Sequence, residues 1–197
     1  MRRSFFFIIL LLIIFSNINA QSYLYNKDAS GPAFSYSRIL GTDAFAVDFT
    51  YKGRFSIGGT MVGLDQSNRV FGINGVVNIF KKENRSNVIS VPLFLGYQSV
   101  NSNSLLSYGA GFYVKSFPVN NITSAAGISY LRSKVENREQ QFGQFGMDFL
   151  LFYKALKIGP SLIISNEKFS FGFTVGFAFN HNNTLFLEKD EYLNTEN

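Results

Sequence analysis

Along most of this chain, large apolar and small or polar residues change places at every position. Phe169, Phe171, Phe173, Val175, Phe177 and Phe179 form one row, and Lys168, Ser170, Gly172, Thr174, Gly176, Ala178 and Asn180 interleave with them. A period of two is that of a strand with one face buried; no helix produces it. The same rhythm returns in Phe45-Val47-Phe49-Tyr51, Phe71-Ile73-Val77-Ile79, Ile89-Val91-Leu93-Leu95-Tyr97 and Leu106-Tyr108-Ala110-Phe112-Val114. It continues in Ile122-Ala126-Ile128-Tyr130, Phe145-Met147-Phe149-Leu151-Tyr153 and Leu156-Ile158-Leu162-Ile164. These rows predict ten strands over 33–40, 44–51, 55–64, 69–80, 88–98, 104–116, 121–133, 141–153, 156–165 and 168–180, with eight as the alternative count and Leu185–Glu188 as a rival for the tenth place. Residues paired across a hairpin share a face. Turns at Lys154-Ala155, Asn166-Glu167 and Lys52-Gly53-Arg54 then pair Tyr153 with Leu156, Ser165 with Lys168 and Tyr51 with Phe55, each pair on one face.

Alternation alone fits a soluble barrel with its apolar face inward or a membrane barrel with it outward. The composition of the other face separates them. It holds Gly, Ser, Thr, Asn and Ala, with isolated charges at Asp48, Asp148 and Lys157, where a solvated face would be rich in Lys, Glu and Arg. Small residues suit the crowded inside of a narrow barrel, and rows of Phe, Leu, Ile and Val suit lipid. Only 16% of the 197 residues are charged, against about 25% in soluble domains. Tyr51, Phe55, Tyr153 and Phe179 fall at strand ends on one side and Tyr97, Tyr130 and Phe169 on the other, as two interfacial girdles would. Phe94, Phe142, Leu150, Phe152 and Ile163 fall on the inner face and fill the lumen. Pro92 and Pro160 oppose the assignment, because each removes a ladder donor; a bulge or a shortened strand has to absorb them.

The N-terminus explains how such a barrel reaches a membrane. Arg2 and Arg3 precede an apolar run from Phe5 to Phe15 and a small residue, Ala20, before Gln21. That is a signal peptide over residues 1–20, too short to span a bilayer, which needs roughly 20 apolar residues. Its removal leaves 16 basic and 13 acidic residues, so the charge gives little support to a nucleic-acid partner. A barrel domain over 21–180 and a polar acidic tail over 181–197 follow. The chain has no cysteine, which excludes disulfides, cysteine-ligated metals and an N-terminal lipid anchor.

With its signal peptide and Phe/Gly strands such as Phe169–Phe179 and Tyr108-Gly109-Ala110-Gly111-Phe112-Tyr113, the chain resembles the small outer-membrane β-barrel proteins of Gram-negative envelopes. The resemblance implies an all-β fold: a closed, antiparallel, up-and-down transmembrane β-barrel in the outer membrane, monomeric, with membrane lipid as its partner. In that family the last strand ends in an aromatic assembly signal; Phe179 resembles it, eighteen residues from the end.

Candidate chemistry is sparse. His181, the single histidine, reads as an exposed turn residue near the interface. Asp48 and Asp148 lie on distant strands and read as partners of ion pairs with Lys157, Lys52 or Arg54 rather than as an acid/base couple. Lys81–Arg85 and Lys134–Glu139 read as solvated mixed-charge loops, with anionic lipid headgroups as their possible contact. No catalytic, cofactor-binding or metal-binding residue is expected. The expected function is that of a non-enzymatic outer-membrane barrel with an envelope-structural or surface-contact role; the alternatives are a narrow channel for small solutes and a secreted lipocalin-like binder. Its ligand is not legible.

Overall fold

The computed structural model describes residues 22–39, 42–63, 70–84, 86–100, 103–135, 141–165 and 168–181. The expected signal peptide, the expected acidic tail beyond His181 and the rival strand Leu185–Glu188 lie outside them. Ten strands run through the described chain: β1 (Gly31–Ile39), β2 (Thr42–Tyr51), β3 (Phe55–Val62), β4 (Val70–Glu83), β5 (Asn87–Val100), β6 (Asn103–Ser116), β7 (Ile122–Val135), β8 (Gln141–Tyr153), β9 (Leu156–Ser165) and β10 (Lys168–Ala178). Each pairs antiparallel with its sequence neighbours, and β1 pairs with β10, so the sheet is an all-β, closed, up-and-down barrel. A short 3-10 turn, Ser22–Leu24, precedes it. The strand bounds agree with the sequence periodicity to within a few residues at each end. The three hairpin registers also hold, with Tyr153 opposite Leu156, Ser165 opposite Lys168 and Tyr51 opposite Phe55.

Burial shows which face points where. On β10, Phe171 is 75% exposed, whereas Thr174 is 4% exposed. The apolar rows point outward on every strand, and the inner face holds Ser35, Ser37, Thr60, Asn74, Gln98, Ser107, Ser129, Ser133, Gln144 and Ser161. A lipocalin-like barrel would have these faces exchanged, so that alternative is excluded. Phe94, Phe142, Leu150, Phe152 and Ile163 are buried inside, as their register requires.

A single carboxylate marks one limit of the apolar belt. Asp43 faces outward at one end of β2, covered by the Tyr36 hydroxyl, which donates to it, and by Arg38, whose Nε lies 3.7 Å away. From there to Lys52, the outward residues of β2 are Phe45, Val47, Phe49 and Tyr51. That stretch measures roughly 30 Å along the strand, or about 23 Å after a tilt near 40°, which matches the ~25 Å apolar band of a membrane barrel.

The two prolines are accommodated differently. Beside Pro92 the β4–β5 register shifts between Asn78 and Phe80, so a bulge at Ile79 turns the outward face from odd to even positions and leaves Phe80 and Lys82 exposed. Beyond Pro92, the β5–β6 ladder breaks between Ser90 and Leu93 and resumes in register. At Pro160 the β8–β9 ladder breaks between Asp148 and Leu151 and also resumes without a shift. Pro160 therefore needs neither a bulge nor a shortened strand, because a local gap in pairing hides its missing donor.

Phe173 lies mid-strand on the outer face. Phe173→Arg is expected to destabilise the barrel in lipid vesicles by about 2–4 kcal/mol, the cost of a basic residue at the midplane. Reversible denaturant unfolding in lipid measures this, and a change within a few tenths of a kcal/mol would contradict the outward assignment.

Candidate functional site: the barrel lumen and its N-terminal plug

A ten-stranded barrel is narrow, and side chains can fill much of it. Here the filling is shared with a piece of chain that belongs to no strand. Residues 22–30 enter at the end that also carries His181, the end of β4, the start of β5 and the turns 52–54, 117–121 and 154–155. This is called the terminal end here. Tyr23, Leu24, Tyr25 and Asn26 are buried there against the inner wall. The segment carries no period-two pattern, so nothing in its sequence marks it as part of the core.

Aromatic packing holds its tip. The Tyr23 ring stacks on Tyr113, with centroids 3.9 Å apart, and meets Phe94 edge-on at 6.1 Å. Contacts of this kind contribute roughly 0.5–1.5 kcal/mol beyond the area they bury. Tyr113 can lean inward because the neighbouring strand carries Gly127, where a Cβ would collide with the ring. Ser90 donates to the Tyr23 carbonyl at 3.3 Å, and the Tyr25 hydroxyl donates to the Pro32 carbonyl at 2.9 Å. Behind the tip, the Gly53 N–H donates to the Ala29 carbonyl at 2.7 Å, so the β2–β3 turn folds against the segment.

A buried ammonium ties this segment to the far end of the chain. Lys115, on the inner face of β6, donates to Asn26 Oδ1 at 2.8 Å, to the His181 carbonyl at 3.0 Å and to His181 Nδ1 at 3.0 Å. Asn26 N–H donates to the same His181 carbonyl at 2.9 Å. His181 Nε2 donates to the Lys154 carbonyl at 2.7 Å, which leaves Nδ1 unprotonated and able to accept from Lys115. The imidazole also lies on Phe152, with centroids 4.8 Å apart. His181 is therefore not an exposed turn residue: it is 3% exposed. Burial, and then the Lys115 charge, push its pKa down to about 3.

The charges farther inside follow the sequence expectation at Asp48 and depart from it at Asp148. Lys157 is fully buried, and the Asp48 carboxylate is its electrostatic partner. Its stem crosses Gly176, where an added Cβ would come within 2.9 Å of Lys157 Cε. Lys52 and Arg54 point to solvent from the β2–β3 turn and do not serve Asp48. Asp148 accepts from the Tyr113 hydroxyl at 2.9 Å, so its partner in this cluster is a phenol and not the expected cation. Both carboxylates act electrostatically on the hydroxyl of Tyr23. Lys81 and Lys82 belong to β4 and not to a loop; Lys81 Nζ donates to the Gly53 carbonyl at 2.7 Å. Among the described residues, no group of three or more His, Asp or Glu side chains is placed to hold a metal ion.

The chemistry available is that of a closed polar interior: hydroxyls, amides and compensated charges, sealed at one end by the N-terminal segment. No protein-family model matches the chain, and no curated protein matches it. Among solved structures it is similar to a KdgM porin determined in complex with disordered oligogalacturonate. That match has 12% identity and a TM-score of 0.39, and covers 75% of this chain and 98% of that one.

Below pH 6.5 the unfolded chain binds a proton on His181 that the folded site refuses. The contribution of His181 to stability should therefore be lost progressively as the pH drops from 6.5 towards about 3. His181→Gln keeps a donor and an acceptor but cannot titrate. Between pH 6.5 and 5, above the carboxylate range, the variant is expected to lose less stability than the native chain. Parallel slopes for the two proteins in unfolding titrations would show that His181 is not held neutral.

Proposed function

We propose that this protein is a non-enzymatic integral barrel of the outer membrane, delivered there by a cleaved signal peptide over residues 1–20, with an envelope-structural or surface-contact role. The closed lumen carries this reading. Side chains from all around the wall meet inside, and Tyr23, Leu24 and Tyr25 are packed among them. A barrel filled in this way is a membrane-embedded body with apolar rows outside and packed polar groups inside.

A second reading, a narrow channel for small solutes, has its own support. Residues 22–30 are held by side-chain and turn contacts and by no strand ladder. Their withdrawal would leave a passage lined by Ser90, Asn78, Thr123 and the charges of Asp48, Asp148, Lys115 and Lys157.

Planar-bilayer recording separates the two. The native protein, extracted from envelopes with detergent and showing heat-modifiable migration, is expected to give no conductance steps. A variant lacking residues 21–30 is expected to remain folded and silent if the barrel is structural, and to give small discrete steps if the segment closes a channel. Steady conductance from the native protein would contradict the closed-lumen reading.

A further inference from the structure

The terminal end carries a collar of basic side chains that the lumen does not use. Lys52 and Arg54 lie in the β2–β3 turn, Lys82 near the end of β4, and Lys154 in the β8–β9 turn, all exposed. Lys27 adds a fifth exposed basic residue, against an exposed Asp28 and a half-exposed Glu83. Lys27, Lys52, Arg54 and Lys82 gather where the β2–β3 turn meets the end of β4, with Asp28 N–H donating to the Lys52 carbonyl and Lys27 N–H to Glu83. Lys154 lies across the ring on the β8–β9 turn, so cations face the surroundings on two sides of the rim.

Two of the lysines are placed in the same way on separate hairpins. Lys52 follows Tyr51, and Lys154 follows Tyr153; both tyrosines face outward in the girdle. Lys52 Nζ lies 5.4 Å from the Tyr51 ring centroid, and Lys154 Nζ lies 5.8 Å from that of Tyr153. Both lysines have positive φ, 48° and 53°, a region that favours Gly or Asn over a long side chain. A girdle tyrosine sits at headgroup depth. An ammonium held over its ring is therefore at the level of lipid phosphates, with its stem along the apolar belt.

We propose that this collar binds anionic glycerophospholipid headgroups in the leaflet facing the chain termini, and so fixes the depth and orientation of the barrel. The partner follows from complementarity: cations on two sides of the rim, two of them lysines held over interfacial tyrosines, match phosphodiesters that can surround the barrel independently. A single acidic protein seated on the β2–β4 side would leave Lys154 and its matching place over Tyr153 unused. The inference rests on the membrane-barrel reading, and its test distinguishes failure of one from failure of the other.

The chain has no tryptophan, so a single introduced one reports its own lipid neighbours. Phe55→Trp places it in the girdle at the terminal end, and Phe169→Trp places it in the girdle at the other end. Each full-length mature protein is reconstituted in vesicles containing brominated phosphatidylglycerol or brominated phosphatidylcholine. Quenching gives the relative affinity of the two lipids at each end. At Phe55→Trp the anionic lipid should be preferred, by about five-fold for each basic residue that reaches a headgroup. High salt should reduce the preference. Combining Phe55→Trp with Lys52→Gln, Arg54→Gln, Lys82→Gln and Lys154→Gln should abolish it, while Lys52→Arg with Lys154→Arg should retain it. Strong quenching by both lipids with no preference, or a preference that survives the four glutamines, would overturn the collar and leave the membrane barrel standing. Absence of quenching at both ends would overturn both.

Discussion

A sheet that spans lipid must pair its backbone N–H and C=O groups within itself, because the hydrocarbon offers no substitute for water. The β1–β10 ladder, from Ala33 opposite Ala178 to Ile39 opposite Gly172, is where this chain meets that demand. Closure there removes both sheet edges at once. It also fixes which rows face out, since a slip of one residue would turn Phe34 and Tyr36 inward and Ser35 and Ser37 into lipid. The interruptions at Pro92 and Pro160 are local, and neither opens the ring.

Closure creates an interior that must then be filled. Near the terminal end the wall alone does not fill it, and the N-terminal segment completes the packing with Tyr23 and Leu24. The same seam is tied a second time by polar contacts, since Lys115 reaches Asn26 just before β1 and His181 just after β10. Three elements far apart in sequence converge on one ammonium, whose removal from water is offset by three acceptors. The low pKa of His181 follows from the same arrangement, because burial disfavours the charged imidazole and the neighbouring Lys115 adds to the effect.

Most of the barrel could be read from its sequence because a two-residue period is a local property. The rows from Phe45 to Phe179 defined the strands, their faces and three hairpin registers. The inward placement of Phe94, Phe142, Leu150, Phe152 and Ile163 followed from parity alone. The plug was not legible. Tyr23 to Ala29 has no periodicity, and its partners Tyr113 and Lys115 lie on a strand some ninety residues away. His181 was misread for a similar reason, since its burial depends on Lys115 and on Lys154, 27 residues upstream. Asp148 had lysines in principle available, but the lumen brings it Tyr113 instead. The inward parity of Lys115 was the one local signal that could have flagged the site.

The central claim is that the apolar face of the closed sheet meets lipid. Since the chain has no cysteine, single substitutions along β10 address it without background labelling. In vesicles, Phe171→Cys, Phe173→Cys, Val175→Cys and Phe177→Cys should each react with a lipid-soluble maleimide and resist a water-soluble one, while Ser170→Cys and Thr174→Cys should resist the lipid-soluble reagent. Ready modification of the four outward positions by the water-soluble reagent would contradict the claim.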